Sequence, residues 1–424
     1  MKKKLEWLIV CLGSFFLLFS FKVPFLVNSA VLIGVMFTPI ILYRMTSRGI
    51  SISYKDIFLC VSVYFMMLLF IALIAVSHGT YDFSAISAIF SILTSLYSIV
   101  VFSIYVRATN IYCAEDDKLY FFSKLIFYVF LAQAIIISIS VSSEVFHKFI
   151  QLFQSADDAE RAQKYMGARG LALSGAQFFP LTALYSVAQV FMLYYIINKE
   201  KVGILEALAM ALIFATGMTA GRTSLIGTSA FIILFFIFST YKYRVFLGLS
   251  KVFIVGFIVG VCIYNGLLGE KLTEYIFDIY LPFAFEFVYS FFDGRGGGIE
   301  STDVLSRMYW FPGVYEFLIG YGYYSLSDGS TFMSTDGGYM RNILFGGVLG
   351  VILPVFGTIA LIARLNKNMR VNVSSALTIY TVFILLLILH YKGDVLLHLV
   401  SVQSIILMAV LLSSRKAKST LLIK

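Results

Sequence analysis

The sequence predicts an all-α polytopic membrane protein of about 12 transmembrane helices, with both termini cytoplasmic and a large extracytoplasmic loop between spans 9 and 10. Three observations predict it. The 424 residues are 60% hydrophobic and 13% charged, with a mean hydropathy of +0.91, whereas soluble domains are about 45–50% apolar and about 25% charged. Apolar runs near the roughly 20 residues that a helix needs to cross hydrocarbon recur along the whole chain. Lys and Arg collect in every second gap between those runs.

The first run, 5–21, follows "MKKK" and resembles a signal peptide. It lacks a small-x-small cleavage site and the second run, 23–43, follows at once, so it reads as an uncleaved helix. Runs 57–76, 85–106 and 122–142 come next, then 177–197, 203–219, 223–240 and 251–268 after a long gap. A longer gap precedes 337–363, 376–390 and 395–413. With "MKKK" in the cytoplasm, the inner segments and adjoining span ends hold 21 Lys and Arg against 7 Asp and Glu; the outer ones hold 11 against 16. The short inner loops "YRMTSR", "NKEK", "YKYR", "RLNKNMR" and "RKAK" carry the bias that sets orientation. That bias accounts for the net charge of +9, which therefore gives no reason to expect nucleic acid.

The chain reads as one integral membrane domain, 1–424, with extracytoplasmic loops 143–176 and 269–336. Loops of that length usually carry function or lack order. In the second, "EKLTEYIFDIYLPFAFEFVYSFF" and "VLSRMYWFPGVYEFLIG" read as amphipathic helices on the outer membrane face, joined by "DGRGGGIESTD". No repeat divides the chain into similar halves, as an inverted-repeat transporter would require. Cys11, Cys60, Cys113 and Cys262 are scattered without a CxxC, so no disulfide framework, metal or cofactor is expected. GxSxG and HExxH are absent as well.

Candidate chemistry lies on the outer side. Six arginines stand there: Arg161, Arg169, Arg222, Arg295, Arg307 and Arg341. The orientation rule disfavours cations on that face, and a guanidinium offers a planar fork that fits phosphate. Arg222 follows "TAG" at the turn between spans 7 and 8, where a snorkelling arginine and an anion-binding one are both consistent with the sequence. Thr223 and Ser224 would open span 8, whose free N–H groups favour an anion. In "STDGGYMRNILFGGVLG", Asp336 precedes Arg341 and is either a helix N-cap or a proton acceptor. Gly346, Gly347 and Gly350 leave a stripe of small residues for packing. "LHYKGDVLLH" forms a polar turn with His390, Lys392, Asp394 and His398. Tyr309, Trp310, Tyr321, Tyr323 and Tyr324 are candidate sugar-stacking rings, and packing or an interfacial belt explains them equally.

The segments "ARGLALSGAQFFP", "TAGRTSLIG" and "VLSRMYWFPGVYEFLIGYGYYS…STDGGYMRNILFGGVLG" together resemble the Wzy-type O-antigen, or oligosaccharide repeat unit, polymerases of bacterial surface polysaccharides. The resemblance spans about 165–355 and lies in layout more than in identity. It implies a fold related to the GT-C-like lipid-linked sugar transferases, in the bacterial inner (cytoplasmic) membrane, with the active site facing the periplasm. It implies a metal-independent, inverting membrane glycosyltransferase that joins undecaprenyl-pyrophosphate-linked repeat units in polysaccharide and lipopolysaccharide biosynthesis. Donor and acceptor are then both lipid-linked glycans, and a chain-length regulator and a flippase are the implied partners. Arg169, Arg222 and Arg307 would bind pyrophosphate, with Arg295, Arg341, Lys392 and Tyr323 as further substrate contacts. Asp336 or His398 would take the acceptor proton. An O-antigen ligase shares the layout, and a lipid-linked oligosaccharide transporter is the alternative from another class.

Overall fold

A computed structural model describes residues 2–24, 28–48, 53–115, 117–163, 169–199, 202–238, 242–265, 273–286, 300–370 and 372–414. Helices occupy each apolar run of the sequence. They are α1 (Lys2–Phe19), α2 (Ser29–Arg48), α3 (Tyr54–Ser77), α4 (Ser84–Arg107), α5 (Asn110–Cys113), α6 (Lys118–Ser142), α7 (Glu144–Gln151), α8 (Ala156–Gln163) and α9 (Phe178–Asn198). After them come α10 (Ile204–Ala220), α11 (Ser224–Phe238), α12 (Lys242–Tyr264), a π-helical turn Tyr275–Tyr280 running into α13 (Leu281–Ala284), α14 (Glu300–Arg307) and α15 (Val314–Ile319). The last three are α16 (Gly338–Met369), α17 (Val373–Lys392) and α18 (Val400–Ser413). Six of these, α3, α4, α6, α9, α16 and α17, are long and apolar enough to cross a membrane, and six further apolar helical stretches are shorter. This is a helical, membrane-embedded protein. Among the described residues the only β pairing is two isolated bridges, Lys22 with Asn28 and Ser325 with Thr331.

The described residues form two compact units, each drawn from several stretches of chain. Unit 1 comprises 1–30, 117–299 and 371–381; unit 2 comprises 31–116, 300–370 and 382–424. In unit 1, α9 packs against α6 and α11, and α10 against α6 and α12. Every residue of α9 from Leu181 to Ile196 is buried, so this helix faces protein on all sides. Helix association in lipid relies on small residues and interhelical hydrogen bonds, and both occur here. Ser186 Oγ donates to Thr223 O at 2.7 Å and Thr228 Oγ1 to Gln189 Oε1 at 2.9 Å. Gly227 lies so close to the Ser186 carbonyl that no Cβ fits. In unit 2, α18 packs on α4 and α16, and α3 on α4 and α16. Tyr64 Oη donates to Gln403 Oε1 at 2.7 Å, and a buried ion pair joins Asp56 of α3 to Arg364 of α16.

The structure departs from the sequence reading at four places. Helix α2 starts at Ser29, not at 23, because the chain first turns: Ser20 Oγ donates to Asn28 Oδ1 and Ser29 Oγ to Phe16 O. Helix α18 starts at Val400, not at 395, because the N–H groups of Val395 and Leu396 donate to the His390 side chain. The stretch expected as one amphipathic helix from 304 onwards is two short helices, interrupted by Phe311-Pro312-Gly313. The fourth concerns α16, whose glycines do more than admit a neighbouring helix: Gly346 does lie against Phe70 and Ile74 of α3. Gly346 (φ −131°) and Gly347 (φ +61°) break the helix. The freed carbonyls of Leu344 and Phe345 accept N–H groups from Tyr321 (2.6 Å) and Gly322 (3.0 Å). Non-helical backbone at membrane depth survives only where protein satisfies it, and the 320–322 loop does so here. Beside the break lies a cleft of about 510 Å³ lined by Ile74, His78, Tyr315, Leu318 and Gly346.

Candidate functional site

Polar groups gather at one place in each unit. In unit 1 the chain from 169 to 177 runs without regular structure and is held by two glutamines. Gln154 Nε2 donates to Gly170 O (2.8 Å) and Ala172 O (3.0 Å), and Gln177 Nε2 to Ala172 O (3.1 Å) and Ser174 O (2.7 Å). Gly170 sits at φ +78°, a conformation that costs glycine nothing. Arg169 opens this loop and Arg222 lies in the turn between α10 and α11. Though 53 positions apart in sequence, their guanidinium carbons lie 4.7 and 5.7 Å from the centre of one ring, Phe283. Gly221 completes the approach, since a Cβ there would sit 2.7 Å from Thr182 Oγ1 and 3.7 Å from Arg169 Nη2. Arg222 Nη1 pairs with Glu286 Oε2 at 2.5 Å, and that carboxylate is 41% exposed. A cleft of about 530 Å³ adjoins, lined by Asp158, Arg161, Arg169, Gln177 and Phe178.

The expectation of free N–H groups at the start of α11 is corrected. The N–H groups of Ser224, Leu225 and Ile226 donate to the carbonyls of Gly221, Arg222 and Thr223, so tight turns have used them. Any anion at this place would be held by the arginine side chains.

The cluster in unit 2 is built by the turn 393–399 against the loop 320–325 and α16. Asp394 Oδ2 accepts from Tyr324 Oη at 2.7 Å and faces His398 Nδ1 at 3.2 Å. His398 Nδ1 also lies 3.2 Å from Leu396 O. Both neighbours are acceptors, so Nδ1 carries the imidazole proton. Nε2 is buried and has no hydrogen-bond partner among the described residues, which leaves its lone pair unused in the neutral ring. Leu397, the residue before, is buried at φ +60°. A branched aliphatic residue adopts that conformation only where its surroundings impose it. Burial alone would raise the Asp394 pKa, but His398, His390 and the Tyr324 hydroxyl outweigh it and hold the carboxyl well below the usual carboxylate range.

His390 behaves differently. Its Nδ1 accepts N–H groups from Val395 (3.1 Å) and Leu396 (3.3 Å), so the ring is neutral and Nε2 carries the proton; Asn342 Nδ2 lies 3.1 Å from Nε2, and the amide must turn its oxygen there to accept. Its 3.6 Å separation from Asp394 is too long for a hydrogen bond. Gly338 packs against the His390 and Gly393 carbonyls, leaving no room for a side chain. Arg341 lies 3.7 Å above the centre of the Tyr324 ring, and its buried Nε has no hydrogen-bond partner among the described residues.

Of the residues the sequence singled out, the structure brings Arg169 and Arg222 together in unit 1, and His398 and Arg341 together around Tyr324 in unit 2. Arg307 is exposed at the last residue of α14. Arg295 lies outside the described residues. Lys392 is half-buried at the end of α17. Tyr323 is exposed and stacked on Phe332, with centroids 5.4 Å apart. Asp336 is exposed and its N–H donates to Met308 Sδ at 3.4 Å; Gly337, not Asp336, is the N-cap of α16. Tyr324 is buried with Arg341 on its ring, so it has no face to offer a sugar. Sequence reasoning missed Asp394 as the partner of His398, although the i, i+4 spacing was visible, and it missed Glu286, Phe283 and Asp82. Among the described residues no group of three or more His, Cys, Asp or Glu is placed to hold a metal ion.

Comparison with protein-family models, with curated proteins and with solved structures gave no match. The class that fold and residues define is therefore the coarse one, a helical membrane protein with an arginine pair in one unit and an Asp–His pair in the other.

Proposed function

We propose that this protein is a polysaccharide polymerase of the inner bacterial membrane. It transfers a growing glycan from undecaprenyl pyrophosphate to the end of another lipid-linked repeat unit, on the outer side of about 12 spans with cytoplasmic termini. The observation that carries the reading is the convergence of Arg169 and Arg222 on Phe283. Two guanidinium groups on one ring make a place for a doubly charged diphosphate, the leaving group of this reaction. Glu286 now pairs with Arg222, but an ion pair this exposed is worth little and an incoming diphosphate exchanges readily with it.

In the proposed transfer, the acceptor hydroxyl oxygen bonds to the anomeric carbon while the bond from that carbon to the phosphate oxygen breaks. The electron pair leaves with the pyrophosphate, where Arg169 and Arg222 stabilise the charge as it develops. The hydroxyl proton needs a general base; within unit 2 taken by itself, the group we propose for such a role is Nε2 of His398, with Asp394 to stabilise an imidazolium. Asp336, exposed and unconnected to that pair, is the weaker candidate for the same role.

One observation favours a second reading, a transporter of lipid-linked oligosaccharide. Helix α16 is discontinuous, as helices at transporter sites are. Here, however, loop N–H groups already satisfy the carbonyls at the break. Deleting the gene separates the readings. A polymerase leaves surface lipid capped with single repeat units; surface lipid without even single units contradicts the polymerase and indicates a transporter or a ligase.

A further inference from the structure

Between α3 and α4 the chain makes a short turn whose side chains reach loop 320–325. Asp82 Oδ2 accepts two successive N–H groups, from Tyr324 at 2.6 Å and Ser325 at 2.9 Å. Its other oxygen accepts the N–H of Ser84 at 2.9 Å, at the start of α4. Thr80 Oγ1 donates to Gly322 O at 2.7 Å. Tyr81, between these two anchors, sits at φ +52°, a strained conformation for a tyrosine, and its ring is exposed. What the strain achieves is to aim Thr80 and Asp82 at the same loop.

That loop presents Tyr324. The phenol donates to Asp394, and its ring stacks on His398 with centroids 5.7 Å apart and planes 25° apart. Arg341 of α16 lies on the Tyr324 ring, and His390 of α17 faces Asp394. The charged and titratable groups around His398 are therefore Asp394 on its own turn, Arg341, His390, Tyr324 and, behind Tyr324, Asp82. Asp394 and the Leu396 carbonyl hold the imidazole at Nδ1, and Tyr324 lies across its plane.

We propose that Tyr324 and Asp82 are positioning residues for His398: Asp82 fixes the Tyr324 backbone, and Tyr324 fixes both the Asp394 carboxylate and the plane of the imidazole, so that Nε2 is kept without a hydrogen-bond partner among the described residues. The inference rests on the reading of His398 as the proton acceptor. It adds that the acceptor is held from a turn more than 300 residues earlier in the chain.

The test follows the proton on His398 Nδ1 by NMR of the full chain in lipid nanodiscs, labelled with ¹⁵N-histidine and assigned by its loss in His398→Gln. Tyr324→Phe keeps the ring and removes the hydroxyl. Asp394 then gives its charge to one donor fewer, and the Nδ1 proton signal moves downfield. Asp82→Ala frees the loop, and the signal broadens or is lost; Asp82→Asn keeps an acceptor oxygen and restores it. Both Tyr324→Phe and Asp82→Ala cut polymer yield about tenfold or more. An Nδ1 signal unchanged in Tyr324→Phe overturns the role of Tyr324, and one unchanged in Asp82→Ala overturns that of Asp82. If the signal moves as described while polymer yield stays at the wild-type level, the positioning stands and His398 is not the proton acceptor.

Discussion

At the scale of single residues, charge and hydrogen-bond inventory decide what each group can do. His390 and His398 lie eight positions apart in one polar turn and have opposite tautomers. Two backbone N–H groups use the Nδ1 lone pair of His390, whereas two acceptors take the Nδ1 proton of His398. Only His398 keeps a free lone pair, so His398→Gln should lower polymer formation by about 10²-fold or more, by the usual worth of a general base. His390→Gln should act on folding, read as loss of inserted protein. Arg222 already has a carboxylate partner in Glu286, and removing that competitor should help an incoming anion. Glu286→Gln should therefore bind inorganic pyrophosphate more tightly than the wild type, measured by calorimetry on purified protein. Arg222→Lys should not restore the function of an Arg222→Ala variant, because an ammonium lacks the guanidinium fork. Asp82 has a sign that can be checked. Burial raises its pKa, but hydrogen bonds from Ser84, Ser325 and Tyr324 prevail and lower it. The anchor is then present above the ordinary carboxylate range and is lost only as pH falls through the lowered value.

At the scale of elements, the break in α16 is the feature that sequence reasoning missed. A run of glycines in an apolar helix carries two meanings, a packing stripe or a break, and composition does not separate them. What separates them is the partner: loop 320–322 supplies the N–H groups that replace the lost helical bonds, and that pairing is long-range. Gly347 stands at φ +61° and ψ −151°, a region essentially reserved for glycine, and a Cβ there would run into the Leu318 carbonyl. Gly347→Ala should destabilise the protein by roughly 1–3 kcal/mol, seen as a lower melting temperature in detergent. Gly256→Ala, in α12 with open space around it, should leave the melting temperature unchanged or raise it slightly. The helices themselves were legible, because apolar length and flanking charge are local signals. Their ends at Ser29 and Val400 were not, because each is fixed by hydrogen bonds to a neighbouring helix: Ser29 Oγ to the Phe16 carbonyl, and the Val395 N–H to the His390 side chain.

At the scale of the whole molecule, composition and charge bias carried most of the sequence reading. Lipid as the solvent follows from a chain that is 60% hydrophobic, and the helical structure agrees with it. The sequence singled out six arginines, through their place on the side where cations are disfavoured. It did not indicate that Phe283 would gather two of them, since that ring reads like any other in an aromatic-rich loop. Orientation is open to direct test: in a cysteine-free background, Lys148→Cys should react with an impermeant maleimide on intact cells, and a cysteine restored at Cys113 should react only after permeabilisation. Both positions are exposed, so labelling reports sidedness and not burial. The polymerase reading needs the arginine pair to face outward and to bear on the leaving group. The most direct measurement is the length distribution of surface polysaccharide from cells whose only copy carries Arg222→Ala, with insertion verified. Single repeat units with no ladder, a loss on the order of 10²–10³ in rate, are the predicted result; ladders of normal length from an inserted Arg222→Ala protein would contradict it.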